Sequence, residues 1–270
     1  MGSVMRQESA LLALVAVMGL SGAALGGCGG PAEQGPPALQ TKPTTPYRTS
    51  AVGAGPREYV AAWKGSQVGK EPPEFVDVTT PTSEPWLDPG RWLLTWHNGT
   101  MVYRADKEAT YPYFTMRRYR GTAFGPDGQL PARYEVELTV RPYACPSFHP
   151  PIGENGILIY YLDPTHYAEL NVQHESVSVW TADDARPHSG ANWKHYNAWY
   201  GIKTEVGGVR HLRAIVDTTT HQIRYWVDGK KAFNVTVPMV TSRPHWFALR
   251  SVGNVIQFGQ IRIRENPPEE

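Results

Sequence analysis

Short runs of alternating apolar and polar residues follow one another from Arg91 to the end of the chain. Tyr167–Gln173 is the clearest example, because every second residue in it is apolar. Alternation with a period of two is typical of a strand with one face on a core and the other face toward water. We therefore predict a dry face and a wet face, and the wet face carries Tyr167, Glu169 and Asn171.

The residues around that strand predict a β-meander. Gly156–Leu162 is apolar, Asp163-Pro164-Thr165 favours a turn, and Val177–Trp180 resumes the strand pattern after a break at His174-Glu175-Ser176. We expect three consecutive antiparallel strands between Gly156 and Trp180. Their predicted core residues are Leu158, Leu170 and Val172.

Other segments extend the same pattern over the rest of the chain. Asn98-Gly99 and Asp228-Gly229 are two-residue turn signals between strand-like runs, and Arg133–Arg141 alternates along its length. Roughly eleven to thirteen strands are expected, with no alternation of strands and helices. This predicts an all-β sandwich or barrel, in which Thr181–Gly208 is a long loop that is a candidate for function.

The first 56 residues have a different character. Arg6 precedes the apolar run Leu11–Leu20, which is too short to span a bilayer and ends in small residues. The sequence Leu25-Gly26-Gly27-Cys28 resembles the lipobox of bacterial lipoprotein precursors. The resemblance implies acylation of Cys28 and cleavage before it, whereas a plain secretory signal cleaved near Ala24 is the alternative.

These features predict three parts in the chain. Residues 1–28 are expected to be a lipoprotein signal peptide, residues 29–56 a flexible linker rich in Pro and Gly, and residues 57–270 the folded domain. The mature protein would be exported and held on the membrane by the lipid on Cys28, at the cell surface or in the periplasm. Cys145 is the second of two cysteines. Because Cys28 would be acylated, Cys145 has no cysteine to pair with, and we expect no intramolecular disulfide.

The charge balance argues against one class of partner. Lys and Arg total 26 and Asp and Glu total 25, which gives a net charge of +1. No block of like charge stands out, so we expect no nucleic acid as a partner.

Several segments resemble the concanavalin A-like (laminin G-like) jelly-roll superfamily. They are the aromatic hairpin Trp92–Met101, the strand Tyr134–Val140 followed by Gly156–Val172, the hairpin HQIRYWVDGKK at His221–Lys231, and the terminal strand FGQIRI at Phe258–Ile263. The resemblance implies a two-sheet antiparallel sandwich. It also implies carbohydrate binding as a frequent function, with glycoside hydrolases and polysaccharide lyases among the relatives.

Three groups of residues are candidates for ligand binding. The first is the predicted wet face of the meander, and the second is an outer face where a Trp beside Arg side chains could form a platform for a sugar. The third is an aromatic segment at the rim of the predicted loop. Structural packing is the alternative for each group. The groups are Tyr167, Glu169 and Asn171; Arg213, Arg224 and Trp226; and Trp193, His195 and Trp199.

Catalytic signals are weaker. Glu135 and Glu137 share one face of a strand, about 7 Å apart, and with Glu169 they are the candidates for paired carboxylates. The Glu-x-Asp-x-x-Glu strand of jelly-roll endoglucanases is absent from the sequence. We expect no metal site, and calcium, although common in the superfamily, has no legible ligand loop here. A non-catalytic carbohydrate-binding lipoprotein is thus the leading hypothesis. A glycan-active enzyme and a structural or protein-interaction module are the alternatives.

Overall fold

The structure is a computed structural model that describes residues 56–78, 87, 90–107, 114–143, 155–185, 192–252 and 255–269. The predicted signal peptide, Cys28, Cys145 and nearly all of the predicted linker lie outside the described residues, so those expectations stay predictions. Within the described part of the chain, no helix is both long enough and apolar enough to cross a membrane.

The described residues form fifteen strands and two single turns of 3₁₀-helix, at Gly65–Gln67 and Pro126–Gly128. The strands are β1 (Glu58–Val60), β2 (Phe75–Asp77), β3 (Arg91–His97), β4 (Thr100–Lys107), β5 (Thr115–Tyr119), β6 (Arg133–Pro142), β7 (Asn155–Asp163), β8 (His166–Val172), β9 (Ser176–Asp183), β10 (Trp193–Tyr200), β11 (Arg210–Asp217), β12 (Gln222–Val227), β13 (Lys230–Thr236), β14 (Trp246–Ser251) and β15 (Ile256–Glu265).

These strands make two antiparallel sheets. The eight-stranded sheet has the order β13-β12-β11-β6-β15-β4-β3, and β1 pairs with β15 in addition. The seven-stranded sheet has the order β10-β9-β8-β7-β14-β5-β2. Strands that are neighbours in space are often distant in sequence, as expected for a jelly roll. The predicted all-β fold, a two-sheet antiparallel jelly-roll sandwich, is confirmed.

The inner faces of the two sheets hold the main core. Trp92 stacks on Phe258 with ring centroids 5.9 Å apart, and both are buried. Tyr134 of β6 donates a hydrogen bond from its hydroxyl to the carbonyl of Ile159 in β7, so it joins the two sheets. Leu170 and Val172 lie in this core as predicted. Tyr, Trp and Phe side chains fill much of the space because aromatic rings bury a large area each.

The predicted meander exists, but its predicted wet face is buried. Tyr167, Glu169 and Asn171 are 0%, 1% and 2% exposed, so the prediction of solvent exposure is wrong for all three. Tyr167 belongs to a second apolar cluster on the outer face of the seven-stranded sheet. Leu158, predicted for the main core, lies in this outer cluster as well, because a bulge between Leu158 and Tyr160 shifts the register of β7.

The predicted long loop contains a strand. Trp193–Tyr200 forms β10, which pairs with β9 at the edge of the seven-stranded sheet. A bulge between His195 and Asn197 interrupts the pairing, and it also interrupts the period of two that marks a strand in sequence. The loop prediction failed for this reason.

Candidate functional site

The outer face of the seven-stranded sheet, which we name the sealed face, contains a buried ion pair. Arg250 Nη2 lies 2.8 Å from Glu169 Oε2, and the two side chains are 1% and 2% exposed. Asn171 Nδ2 lies 3.5 Å from Glu169 Oε1. The Arg250 guanidinium also lies over the Phe114 ring, 4.6 Å from its centroid. The Glu169–Arg250 pair is thus almost completely buried.

Gly156 makes room for this ion pair. A Cβ at Gly156 would lie 2.4 Å from Glu169 Oε2 and 2.7 Å from Arg250 Nε, which is closer than real contacts allow. Gly156 is opposite Asn171 on one side and Arg250 on the other. The space that a side chain would occupy is therefore filled by a carboxylate and a guanidinium.

The three residues predicted for a binding rim point in different directions. Trp193 packs edge-on against Tyr167 and Phe114, with centroids 5.9 Å and 6.4 Å away. His195 is exposed and stacks on Trp180 at 4.5 Å. Trp199 packs against the main core on the opposite side of the sheet. Trp193 and His195 share the border of the sealed face, and Trp199 does not. Their role in ligand binding stays a prediction.

The outer face of the eight-stranded sheet, which we name the open face, carries a ladder of charges. Glu135 accepts hydrogen bonds from Arg213 Nε at 2.8 Å and from Arg264 Nη2 at 2.7 Å. Glu137, on the same face, lies 3.0 Å from His211 Nε2 and 3.7 Å from Arg262 Nη1. The predicted shared face of the two glutamates is confirmed. Glu135 is held by two guanidinium groups, and Glu137 lies beside an imidazole and a guanidinium.

Trp226 lies on the open face beneath cationic side chains. Arg213, Arg224 and Trp226 do share an outer face, since Arg213 is opposite Trp226 and Arg224 is opposite Ile215. The Trp226 side chain is only 8% exposed, because the Arg213 guanidinium lies 4.7 Å and the Lys231 ammonium 6.0 Å from its ring. The expected exposed indole platform is therefore wrong, and the packing alternative describes this residue.

A small pocket, which we name the notch, opens on the same sheet face where β6, β15, β4 and β3 lie side by side. Its volume is about 160 Å³. Thr139 is opposite Gly259 in the register of β6 and β15. A Cβ at Gly259 would lie 2.9 Å from Thr139 Oγ1 and 3.3 Å from Val102 Cγ1, so glycine keeps the notch open. The lining residues are His97, Asn98, Thr100, Val102, Thr139, Arg141, Val209, Gln257, Gly259 and Gln260.

The notch presents hydrogen-bond donors. Gln257 is 2% exposed, and its Oε1 accepts a hydrogen bond of 3.2 Å from the Tyr143 hydroxyl. Its Nε2 has no hydrogen-bond partner among the described residues. Arg141 donates from Nη1 to the carbonyl of Gly207 at 3.1 Å, which uses one of the five N–H donors of its guanidinium. The Tyr143 hydroxyl also lies 3.3 Å from His97 Nδ1.

Sequence reasoning missed the notch. Gly259 lies inside the terminal strand pattern FGQIRI, and a glycine within a strand is a signal of a bulge or of a close approach. The structure shows such a bulge between Gly259 and Arg262, with Gln260 at a φ of 52°. The remaining lining residues come from the β3–β4 hairpin, from β6, from β15 and from Val209 just before β11, so segments distant in the sequence build the notch and no local motif connects them.

A larger pocket of about 330 Å³ lies at the end of the sandwich. Its polar side chains already serve the fold. Arg57 makes a two-armed ion pair with Glu265, at 2.8 Å for each arm, and donates to the carbonyl of Phe124. His245 Nδ1 lies 2.7 Å from the carbonyl of Arg243, and burial holds the pKa of its imidazole below the ordinary value. This pocket is a weaker candidate than the notch for that reason.

Metal ligands do not cluster in the part of the chain that the structure describes, where no group of three or more His, Cys, Asp or Glu side chains is placed to hold an ion.

Comparisons with known proteins concern the fold alone. No family model matches the chain, and no curated protein matches it. Among solved structures, carbohydrate-binding module CBM66 from Bacillus subtilis has a TM-score of 0.49 and 10% identity, over 70% of this chain and 94% of that one. The Emp46p carbohydrate recognition domain gives 0.46 and 9%, over 73% and 90%. Alginate lyase A1-II′, of polysaccharide lyase family 7, gives 0.45 and 13%, over 65% and 84%.

Proposed function

We propose that this protein binds carbohydrate on its open face, with one sugar residue in the notch. The observation that carries the proposal is the notch itself. It is a pocket of about 160 Å³, kept open by Gly259 and lined mainly by hydroxyl, amide, imidazole and guanidinium groups. Sugars present many hydroxyl groups, and a concave site with a few convergent polar groups is the usual form of a small-ligand site.

The open face offers further contacts to a longer glycan. His211 is opposite Thr139 and lies on β11 together with Arg213, which is opposite Trp226 of β12. Three strand spacings separate Gly259 from Trp226, which is about 14 Å across the sheet. A chain of several sugars in the notch would therefore pass over His211 and reach the Arg213–Trp226 pair. This arrangement gives the predicted residues Arg213, Arg224 and Trp226 a place in the site as a flanking surface, without stacking on a bare indole.

We also propose that the protein is a membrane-anchored lipoprotein. Cys28 would carry the lipid, and residues 29–56 would separate the membrane from the folded domain. A flexible tether of 28 residues has a root-mean-square length of roughly 30 Å, so the domain could face ligands beyond the membrane surface. Mass analysis of the mature N-terminus tests this proposal: an acylated chain that begins at Cys28 is expected, and an unmodified chain that begins elsewhere would contradict it.

Glycan binding by the purified full chain is the direct test of the carbohydrate proposal. Gly259→Ala should weaken binding by about tenfold or more, because the added Cβ takes up space in the notch. Gly65→Ala is the matched control, since its Cβ would contact only Trp96 at 3.5 Å. Unchanged binding by the Gly259 variant would place the ligand elsewhere.

A release assay on the same glycans separates the alternatives. Binding without the appearance of new reducing ends or unsaturated products supports a non-catalytic protein. Release that is lost in Glu135→Gln, Glu137→Gln or Glu169→Gln would support a glycan-active enzyme. A chain that binds no glycan would favour the structural or protein-interaction alternative.

A further inference from the structure

We infer that the sugar held in the notch carries a carboxylate, so that the ligand is an acidic polysaccharide of the polyuronate class. The inference rests on the proposed function, because it concerns the same site. It follows from three properties of the notch: the charge of its lining, the unused donor of a buried amide, and the cations on the surrounding sheet.

The lining of the notch is positive. Arg141 is one of its ten lining residues, and none of these residues is Asp or Glu. Glu137, two residues from Thr139 on β6, is held by His211 at 3.0 Å and by Arg262 at 3.7 Å. The Glu137 carboxylate therefore has an imidazole at hydrogen-bonding distance and a guanidinium close by. An anion in the notch would meet a guanidinium and no free carboxylate among the described residues.

The buried amide of Gln257 requires an acceptor. Its Oε1 is already engaged by Tyr143, and its Nε2 has no partner among the described residues although the side chain is 2% exposed. An unsatisfied buried donor costs free energy, so a ligand that supplies an acceptor oxygen removes that penalty and binds more tightly. An ionised carboxylate has two acceptor oxygens and no donor, and can accept from Gln257 and Arg141 at the same time.

Cations extend beyond the notch along the open face. The Arg104 guanidinium lies 5.8 Å from the centroid of the Tyr143 ring, next to the amide of Gln257. On the other side, the carboxylate of Glu135 is shared between Arg213 and Arg264. An acidic polymer that leaves the notch in either direction would therefore pass positively charged side chains. Attraction of this kind favours repeated carboxylates over a single one.

The test compares a polymer with its own neutral form. Polymannuronate, polygalacturonate and hyaluronan are titrated into the full chain, each beside a carboxyl-reduced derivative with the same linkages. We expect at least one native polymer to bind about tenfold or more tightly than its reduced form. Equal binding of both forms would overturn the acidic-sugar inference and leave carbohydrate binding intact. Absence of binding to any glycan, neutral or acidic, would instead remove the proposed function itself.

Two variants locate the effect in the notch. Arg141→Gln and Gln257→Glu should each weaken binding of the polyuronate about tenfold or more, and by a clearly larger factor than they weaken binding of the carboxyl-reduced polymer. Arg120→Gln is the matched control, because Arg120 is exposed directly after β5 and its loss changes the net charge by the same amount as Arg141→Gln. Equal losses in Arg141→Gln and Arg120→Gln would show a general charge effect and would overturn the inference.

Thermal melting of each variant accompanies these titrations. The Gln257→Glu variant places a carboxylate in a buried position, so it could fold poorly. In that case Arg141→Gln, whose side chain is half-buried, decides the result by itself. Retained polyuronate affinity in a folded Arg141→Gln chain contradicts the proposal.

Discussion

Both outer faces of the sandwich contain a buried glutamate that is paired with arginine, but the arginines differ in their exposure to water. On the sealed face, Glu169 is 2% exposed and is bonded to Arg250, which is 1% exposed. On the open face, Glu135 is also 2% exposed, but its partners Arg213 and Arg264 are 19% and 23% exposed. Water reaches the arginines in the second case and not in the first. A buried carboxylate can therefore belong to a sealed interior or to a surface that is ready for a ligand, depending on where its counter-ion lies.

Two glycines show the same contrast. At Gly156 the missing side chain makes room for the Glu169–Arg250 pair, and the space is filled. At Gly259 the missing side chain leaves a space beside Thr139 that is part of the notch. Substitution of the first glycine should thus affect stability, whereas substitution of the second should affect binding.

Loss of the sealed ion pair should have the largest effect on stability. Glu169→Ala leaves Arg250 as a buried charge without its carboxylate, which typically costs about 3–5 kcal/mol. The double variant Glu169→Leu with Arg250→Met removes both charges and should recover most of that loss. Urea unfolding measures the free energy of each chain. A loss below about 1 kcal/mol in the single variant would contradict the sealed assignment, because it would mean that water reaches Arg250.

Substitution of Gly156 should have the next largest effect on stability, and substitution of Gly259 a smaller one. Gly156→Ala forces a Cβ against the ion pair and should lower the free energy of unfolding by about 1–3 kcal/mol. Gly259→Ala meets the Thr139 hydroxyl at the border of an open pocket, where small shifts are easier, so we expect a loss below about 1 kcal/mol. The same urea experiment compares the two. If Gly259→Ala is the more destabilising variant, the notch is packed like a core and the proposed site is wrong.

Strand patterns in the sequence predicted an all-β sandwich or barrel, because alternation and turn residues are local signals, and the family resemblance implied the two sheets. The faces were harder to assign. Glu169 and Asn171 alternate with apolar residues, so they have the pattern of a wet face, and only the pairing of Glu169 with Arg250, 81 residues away, shows that it is buried. The bulge at His195/Asn197 hid β10. The notch was not predictable, since the β3–β4 hairpin, β6 and β15, which are distant from one another in sequence, build it around Gly259.

A buried histidine should make stability depend on pH. His245 lies between Tyr160 and Tyr134, with ring centroids 4.8 Å and 5.5 Å away, and burial lowers its pKa in the folded state. The unfolded chain therefore binds a proton more readily than the folded chain as the pH falls below about 6.5. Stability should be full above that pH and should decline below it, by at most about 1.4 kcal/mol per pH unit.

His245→Gln, which removes the titrating group, provides the comparison. Its free energy of unfolding is expected to be lower at neutral pH but flatter between about pH 6.5 and 5.5, because carboxylates with lowered pKa values such as Asp163, Asp217 and Glu265 titrate at more acid pH. Urea unfolding at a series of pH values measures both slopes. Parallel slopes for the two chains would show that the imidazole is not the group responsible.

Removal of one charge from the ladder on the open face should have the smallest effect on stability. Glu137 is 26% exposed beside His211 at 39%, so water and salt screen the pair, and Glu137→Gln should change the free energy of unfolding by less than about 1 kcal/mol. The change should shrink further from low salt to about 0.5 M NaCl, where exposed charges interact only over a few ångströms. A loss above about 2 kcal/mol that is insensitive to salt would mean that the Glu137 carboxylate is cut off from water. The two faces would then be energetically alike, and the open face would lose the accessibility on which ligand binding depends.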